Sequence, residues 1–205
     1  MSSFSPRWIF PSNPPPEARA LAEKLDVAPF VAELLWNRGY REPEEAAQFL
    51  DPKLKSLRDP FLLPNMRAAI DRIAAAIARR ERIVLYGDYD VDGVTSITLL
   101  TRVLRAYGAT VECFLPSRIE EGYGLSAEGV RRCVSTLQPQ LLIAVDCGTS
   151  SAVEIAALGR EGVEVIVFDH HECKDTLPDC VAVVNPKLGS EFHHLCSVGI
   201  VFKAA

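Results

Sequence analysis

Short apolar runs alternate with amphipathic stretches over the last three fifths of this chain. Ile83–Tyr86, Thr110–Leu115, Leu141–Val145 and Val163–Phe168 are brief and rich in β-branched or aromatic residues, and Ala182–Val184 is a shorter fifth run. Between them, Thr95–Ala106, Ser126–Leu137 and a stretch opened by Ser151-x-x-Glu154 carry apolar residues at helical spacing. Strands with few polar positions, separated by helices, predict an α/β fold whose parallel sheet has helices on both faces. Ahead of it lie three short helical patterns, Glu17–Leu25, Pro29–Asn37 and Pro43–Leu50. A Pro-containing connector over 51–63 and a longer Ala-rich helix over about Asn65–Glu81 follow. The domain reading is therefore a helical lead and connector over 1–81 and an α/β domain over 82–205. Leu195–Ala205 reads as the start of an apolar helix without a terminal cap, so the chain is expected to be a fragment of a longer protein.

Composition narrows the class. The 205 residues are 48% hydrophobic and 24% charged, ordinary for a soluble globular domain. No apolar run approaches the roughly eighteen residues of a membrane helix. The first fifteen residues hold Pro6, Pro11, Pro14 and Pro15 and no apolar core of a secretory signal. Six cysteines lack any C-x-x-C pair, which fits reduced thiols and a cytoplasmic location. Net charge is −5, yet residues 53–82 carry eight bases against three acids, and 83–205 carry nine against sixteen. Five of those sixteen acids stand at predicted strand ends, so charge alone leaves a nucleic-acid partner open.

Three polar clusters follow strands directly: Gly87-Asp88-Tyr89-Asp90-Val91-Asp92-Gly93, Asp146-Cys147-Gly148 and Asp169-His170-His171-Glu172. Ligands in open α/β sheets bind at the carboxyl ends of strands. Three acids within five residues repel one another, and a fold that gathers them needs a proton or a cation there. Carboxylates with imidazoles suit manganese or magnesium better than thiolate-bound zinc. The Asp88-x-Asp90-x-Asp92-Gly93 spacing also opens a calcium EF-hand loop, but a strand precedes it and the twelfth position is Leu99, not Glu. Singly, any of these acids could be a helix cap, and a lone His-His pair is common on surfaces.

In combination and order, these motifs resemble the DHH phosphoesterase superfamily, and the likeness to its single-strand-specific DNA exonucleases runs from about Trp8 to the last residue. Pro116-x-Arg118, Gly122-Tyr123-Gly124-Leu125, Asn185-Pro186 and Cys196-x-x-Gly199-x-x-Phe202-Lys203 belong to the same resemblance. It implies two divalent cations, Mn2+ or Mg2+, and hydrolysis of single-stranded DNA from a 5′ end in recombination and repair. Carried over, Asp90 and Asp146, with Asp88 close by, hold one ion; Asp92, Asp146 and His170 hold the other, with Asp146 bridging. His171 supports the ligands from behind or faces the phosphate, Asp169 orients its neighbours, Arg118 receives the 5′ phosphate, and Tyr123 stacks on a base or packs in the Gly-rich turn. Tyr86 stands where some members of the superfamily carry a histidine, four positions before Asp90, which leaves the full ligand set of that ion open. The resemblance further implies that the longer parent works with a helicase and single-strand-binding proteins, away from membranes. It places a fourth-motif aspartate beyond Ala205, so the chain alone is expected to be nearly inactive. The alternatives are a DHH-family phosphodiesterase of short oligonucleotides or cyclic dinucleotides, and a non-catalytic DHH-fold scaffold.

Overall fold

The computed structural model describes residues 15–117, 121–122, 124–173, 176–190 and 192–205. Two compact units divide between Arg58 and Asp59. In the first, helices α1 (Pro16–Leu25), α2 (Pro29–Asn37) and α3 (Pro43–Leu50) each begin with proline, whose fixed φ and missing N–H suit a first helical turn. Leu21, Ala22, Ala32, Leu35 and Ala46 form their shared core.

The second unit starts with helix α4 (Met66–Ala78) and a five-stranded sheet follows. Its strands are β1 (Ile83–Gly87), β2 (Val111–Phe114), β3 (Leu141–Val145), β4 (Glu164–Phe168) and β5 (Ala182–Val184), ordered β2-β1-β3-β4-β5. Every pairing is parallel. The intervening helices are α5 (Val91–Ala106), α6 (Ala127–Leu137), α7 (Ala152–Arg160) and α8 (Ser197–Ala204). β1 and β3 are buried along their whole length because apolar residues pack both sheet faces. On one face, Leu85, Ile143 and Phe168 meet Met66 and Ile73 of α4, Ile97 and Leu100 of α5 and Ile200 of α8. On the other, Val84, Tyr86, Leu142 and Val167 meet Val130 of α6 and Ile155 and Leu158 of α7. No helix among the described residues is long and apolar enough to cross a membrane.

Several boundaries differ from the sequence reading, each for a local reason. The compact units divide after Arg58, and the apolar face of α4 belongs to the sheet core. Helix α5 begins at Val91, four residues before Thr95, because the Asp90 side chain accepts the Gly93 N–H at 2.9 Å and caps it. The Ser151-x-x-Glu154 capping box does not close: Ser151 (φ −106°, ψ 44°) is not extended, and its side chain makes no cap bond. Gly93 has a steric duty, since a Cβ there would lie 2.5 Å from the Asp88 carbonyl oxygen. The close approach of α5 to the β1 end therefore requires glycine.

Candidate metal centre

Asp88, Asp146 and Asp169 each follow the last residue of a central strand, so the parallel register sets them side by side. All three are buried. Asp146 turns the chain sharply, with φ +63° in the left-handed region, a conformation that Asp tolerates better than branched residues. The turn leaves its backbone N–H bonded to the Phe168 carbonyl at 2.9 Å.

One ligand atom from each of Asp88, Asp90 and Asp146 lies within 4.8 Å of the others, and the same holds for Asp146, His170 and His171. Asp146 belongs to both groups. Nε2 of His170 stands 3.3 Å from Asp146 Oδ1 and 3.5 Å from Asp92 Oδ2, which draws Asp92 to the second group. Oδ2 of Asp88 and Oδ2 of Asp146 are buried without a hydrogen-bond partner among the described residues. A native fold seldom leaves a carboxylate oxygen so placed, and a cation would satisfy it. Burial first, then the Asp92 and Asp90 carboxylates, push the Asp146 carboxyl up to about 7 against a hydrogen bond from Ser197. The Gly93 N–H holds Asp90 below the usual carboxylate range. The donor set therefore fits two divalent ions sharing Asp146.

Around this cluster the fold supplies orienting contacts. Helix α8 has no side-chain cap of its own; its Ser197 and Val198 N–H groups donate to Asp92 Oδ2 and Oδ1, both at 2.8 Å. The Ser197 hydroxyl donates to Asp146 Oδ1 at 2.9 Å. Asp169 accepts from the Thr149, His170 and His171 N–H groups at 2.9, 2.7 and 3.1 Å, and meets His171 Nδ1 at 2.7 Å. Burial opposes its ionisation, yet these bonds outweigh burial and hold Asp169 far below the ordinary range. The same pair raises His171. Tyr86, on the sheet face away from α5, stacks on Phe114 at 5.1 Å and donates its hydroxyl to the Gly124 carbonyl at 3.1 Å. It is a brace for the Gly-rich turn and takes no part in either ligand group.

Arg118 and Tyr123 lie outside the described residues. Between them in sequence, Glu121 accepts the Ser117 N–H at 2.6 Å and bonds Arg132 of α6 at 2.6 and 2.7 Å. Ser197 and Thr149 were not singled out by sequence reasoning. Both act by contacts to residues at least 20 positions away, which no local pattern announces.

Residues 82–205 match the family model described as the DHH family, N-terminal domain. The single-stranded-DNA-specific exonuclease RecJ of Bacillus subtilis is 38% identical over 202 residues, covering 97% of this chain and 26% of that protein. RecJ of Thermus thermophilus is 39% identical over 183 residues, or 89% of this chain and 26% of that protein. The crystal structure of Thermus thermophilus RecJ in complex with Mn2+ superposes with a TM-score of 0.71 at 32% identity, over 93% of this chain and 26% of that one. A crystal structure of exonuclease RecJ bound to manganese gives 0.62 at 37% identity, over 69% of this chain and 36% of that one. The chain thus spans about a quarter of the length of the curated relatives it matches. Three carboxylate-bearing strand ends, a DHH triplet and a family match over 82–205 agree: the chain belongs to the DHH family.

Proposed function

We propose that this chain supplies the metal-holding part of a hydrolase that cleaves phosphodiesters of single-stranded DNA from a 5′ end, using two divalent cations, Mn2+ or Mg2+. Asp146 carries the reading: a buried carboxylate in a left-handed turn, shared by two ligand groups, with one oxygen unpartnered. Support comes from the relatives, whose names give single-stranded-DNA-specific exonucleases and whose solved forms hold manganese.

In this reading Asp88, Asp90 and Asp146 hold one ion and Asp92, Asp146 and His170 the other. Bound ions would lower the pKa of an attacking water and offset charge on the phosphate. Asp169 keeps the proton on His171 Nδ1 and aligns the imidazole toward the phosphate. Arg118 receives the 5′ phosphate through its forked donors, and Tyr123 stacks on a base.

Calorimetric titration of the chain with Mn2+ tests the metal part. Two binding events are expected, and Asp146→Ala should remove both, because each ion shares that ligand. Two events persisting in Asp146→Ala would defeat the bridging assignment. The substrate part is tested in the longer protein: degradation of a 5′-phosphorylated single strand is expected, and cleavage restricted to short oligonucleotides or cyclic dinucleotides would replace the reading.

A further inference from the structure

Asn185 follows strand β5 and is wholly buried. Its Oδ1 accepts the Lys187 N–H and its Nδ2 donates to the His171 carbonyl, both at 2.9 Å. One side chain thus ties the backbone of Lys187 to that of the DHH triplet, and Pro186, just before Lys187, has a fixed φ. The Lys187 stem therefore leaves from a fixed point beside His171. Its Nζ lies 3.0 Å from Glu172 Oε1. The lysine side chain is 32% exposed and the glutamate side chain 75%, so Glu172 is the member of the pair that can swing away. Glu172 also lines a cleft of about 200 Å3 with His171, Ser150, Ser151, Gly124 and Leu125. An ion pair this open to water adds little to stability.

Two divalent ions do not outweigh the carboxylates of Asp88, Asp90, Asp92, Asp146 and Asp169, so an incoming phosphate needs cationic side chains near them. A phosphodiester offers an ammonium what the Glu172 carboxylate offers it, one negative charge and acceptors for a charge-assisted hydrogen bond. We propose that Lys187 is a substrate-binding residue: its ammonium leaves Glu172 to hold a backbone phosphate of the substrate beside His171, and the Glu172 carboxylate keeps that place in the free protein. A compact charge on a flexible stem suits such an exchange of partners. An ion pair kept for stability alone would gain nothing from the tie between Lys187 and the His171 carbonyl. The assignment deepens the proposed function and rests on its phosphodiester substrate, not on the length of that substrate or its 5′ end.

The test uses the longer protein with Mn2+ and a 5′-phosphorylated single strand, at several salt concentrations. Lys187→Gln is expected to lower kcat/KM about tenfold, the lower end for a hydrogen bond to a charged group, mainly through KM. It should also flatten the fall of log kcat/KM with log salt by about 0.7, the share of one phosphate contact on a single strand. Lys187→Arg should keep the wild-type slope, and thermal melts of all the chains should agree closely. Glu172→Gln should raise kcat/KM, and by less when Lys187 is also Gln. A wild-type slope in Lys187→Gln would overturn the inference, because a lysine that only supports the fold leaves the number of phosphate contacts unchanged. An equal gain from Glu172→Gln in both backgrounds would remove the exchange between carboxylate and phosphate. Wild-type protein that spares the single strand but cleaves a short oligonucleotide or cyclic dinucleotide would defeat the proposed function. The same chains on that substrate then still decide here: a KM unmoved by Lys187→Gln overturns the inference, and a raised KM supports it.

Discussion

The hydroxyl of Ser197 reaches across 51 positions of sequence to donate to Asp146 Oδ1 at 2.9 Å, and its own N–H holds Asp92. The first turn of α8 thus sets two candidate ligands at once. With Oδ1 engaged, the buried Oδ2 of Asp146 is left for a cation. Ser197→Ala should therefore weaken Mn2+ binding about tenfold, the lower end of what outer hydrogen bonds to ligands are worth. Calorimetry on the two chains checks it. Equal affinity would mean that the β3 turn alone places the carboxylate.

Function and stability should oppose each other at Asp146. Its side chain is buried, faces the Asp90 and Asp92 carboxylates, and lacks a partner for Oδ2. Asn fits the same left-handed backbone and can still accept from Ser197 while its amide donates toward the neighbouring acids. Asp146→Asn is expected to stabilise the metal-free chain by on the order of 1–3 kcal/mol, the usual cost of an unsatisfied buried polar group. Urea melts in the presence of chelator measure this. A destabilised variant would show that the carboxylate is better accommodated without metal than its surroundings suggest.

What the sequence made legible follows the range of the interactions. Leu141–Val145 and Ala182–Val184 are strands as read, because a buried parallel strand is a local run of apolar residues. The start of α5 lies four residues ahead of the sequence pattern because Val91, 79% exposed, breaks the apolar period and Asp90 reads as a ligand rather than a cap. The apolar stripe of α4 showed that it packs, but not that its partner is the sheet. The strand-end acids were visible as a cluster in sequence; the contacts of Ser197, Thr149 and Asn185 that orient them join distant segments and left no periodic trace.

The loop from Ser117 to Glu121 offers a pH test away from the ligands. The Arg132 guanidinium holds the Glu121 carboxyl below the usual range, aided by the Ser117 N–H and opposed by burial. A depressed carboxyl stabilises the fold above its unfolded value, about 4.3, and this contribution is lost as pH falls through the lower folded value. Glu121→Gln should melt at a lower temperature than wild type near neutral pH. The gap should close as pH drops below that window. Arg132 is half exposed, so added salt should narrow the gap as well. A gap independent of pH would show that Glu121 acts through shape rather than charge.

Asp90 performs two tasks that substitution can separate. Its Oδ1 caps α5 through the Gly93 N–H, and one of its oxygens lies within ligand distance of Asp88 and Asp146. Serine caps helices about as well as aspartate but brings no carboxylate. Asp90→Ser should leave metal-free stability close to wild type, whereas Asp90→Ala should cost about 0.5–2 kcal/mol through the lost cap. Wild type should gain about 2.7 kcal/mol when free Mn2+ exceeds its dissociation constant a hundredfold, since only the folded chain presents the site. Both variants should lose the share of the gain that comes from the ion on Asp88, Asp90 and Asp146 at the same Mn2+ concentration, and chelator should return wild type to its metal-free value. Thermal melts of the three chains with and without Mn2+ read all four quantities. An Asp90→Ser chain that keeps the full metal-dependent gain would leave Asp90 a helix cap and nothing more, and would shift the first ion onto Asp88 and Asp146.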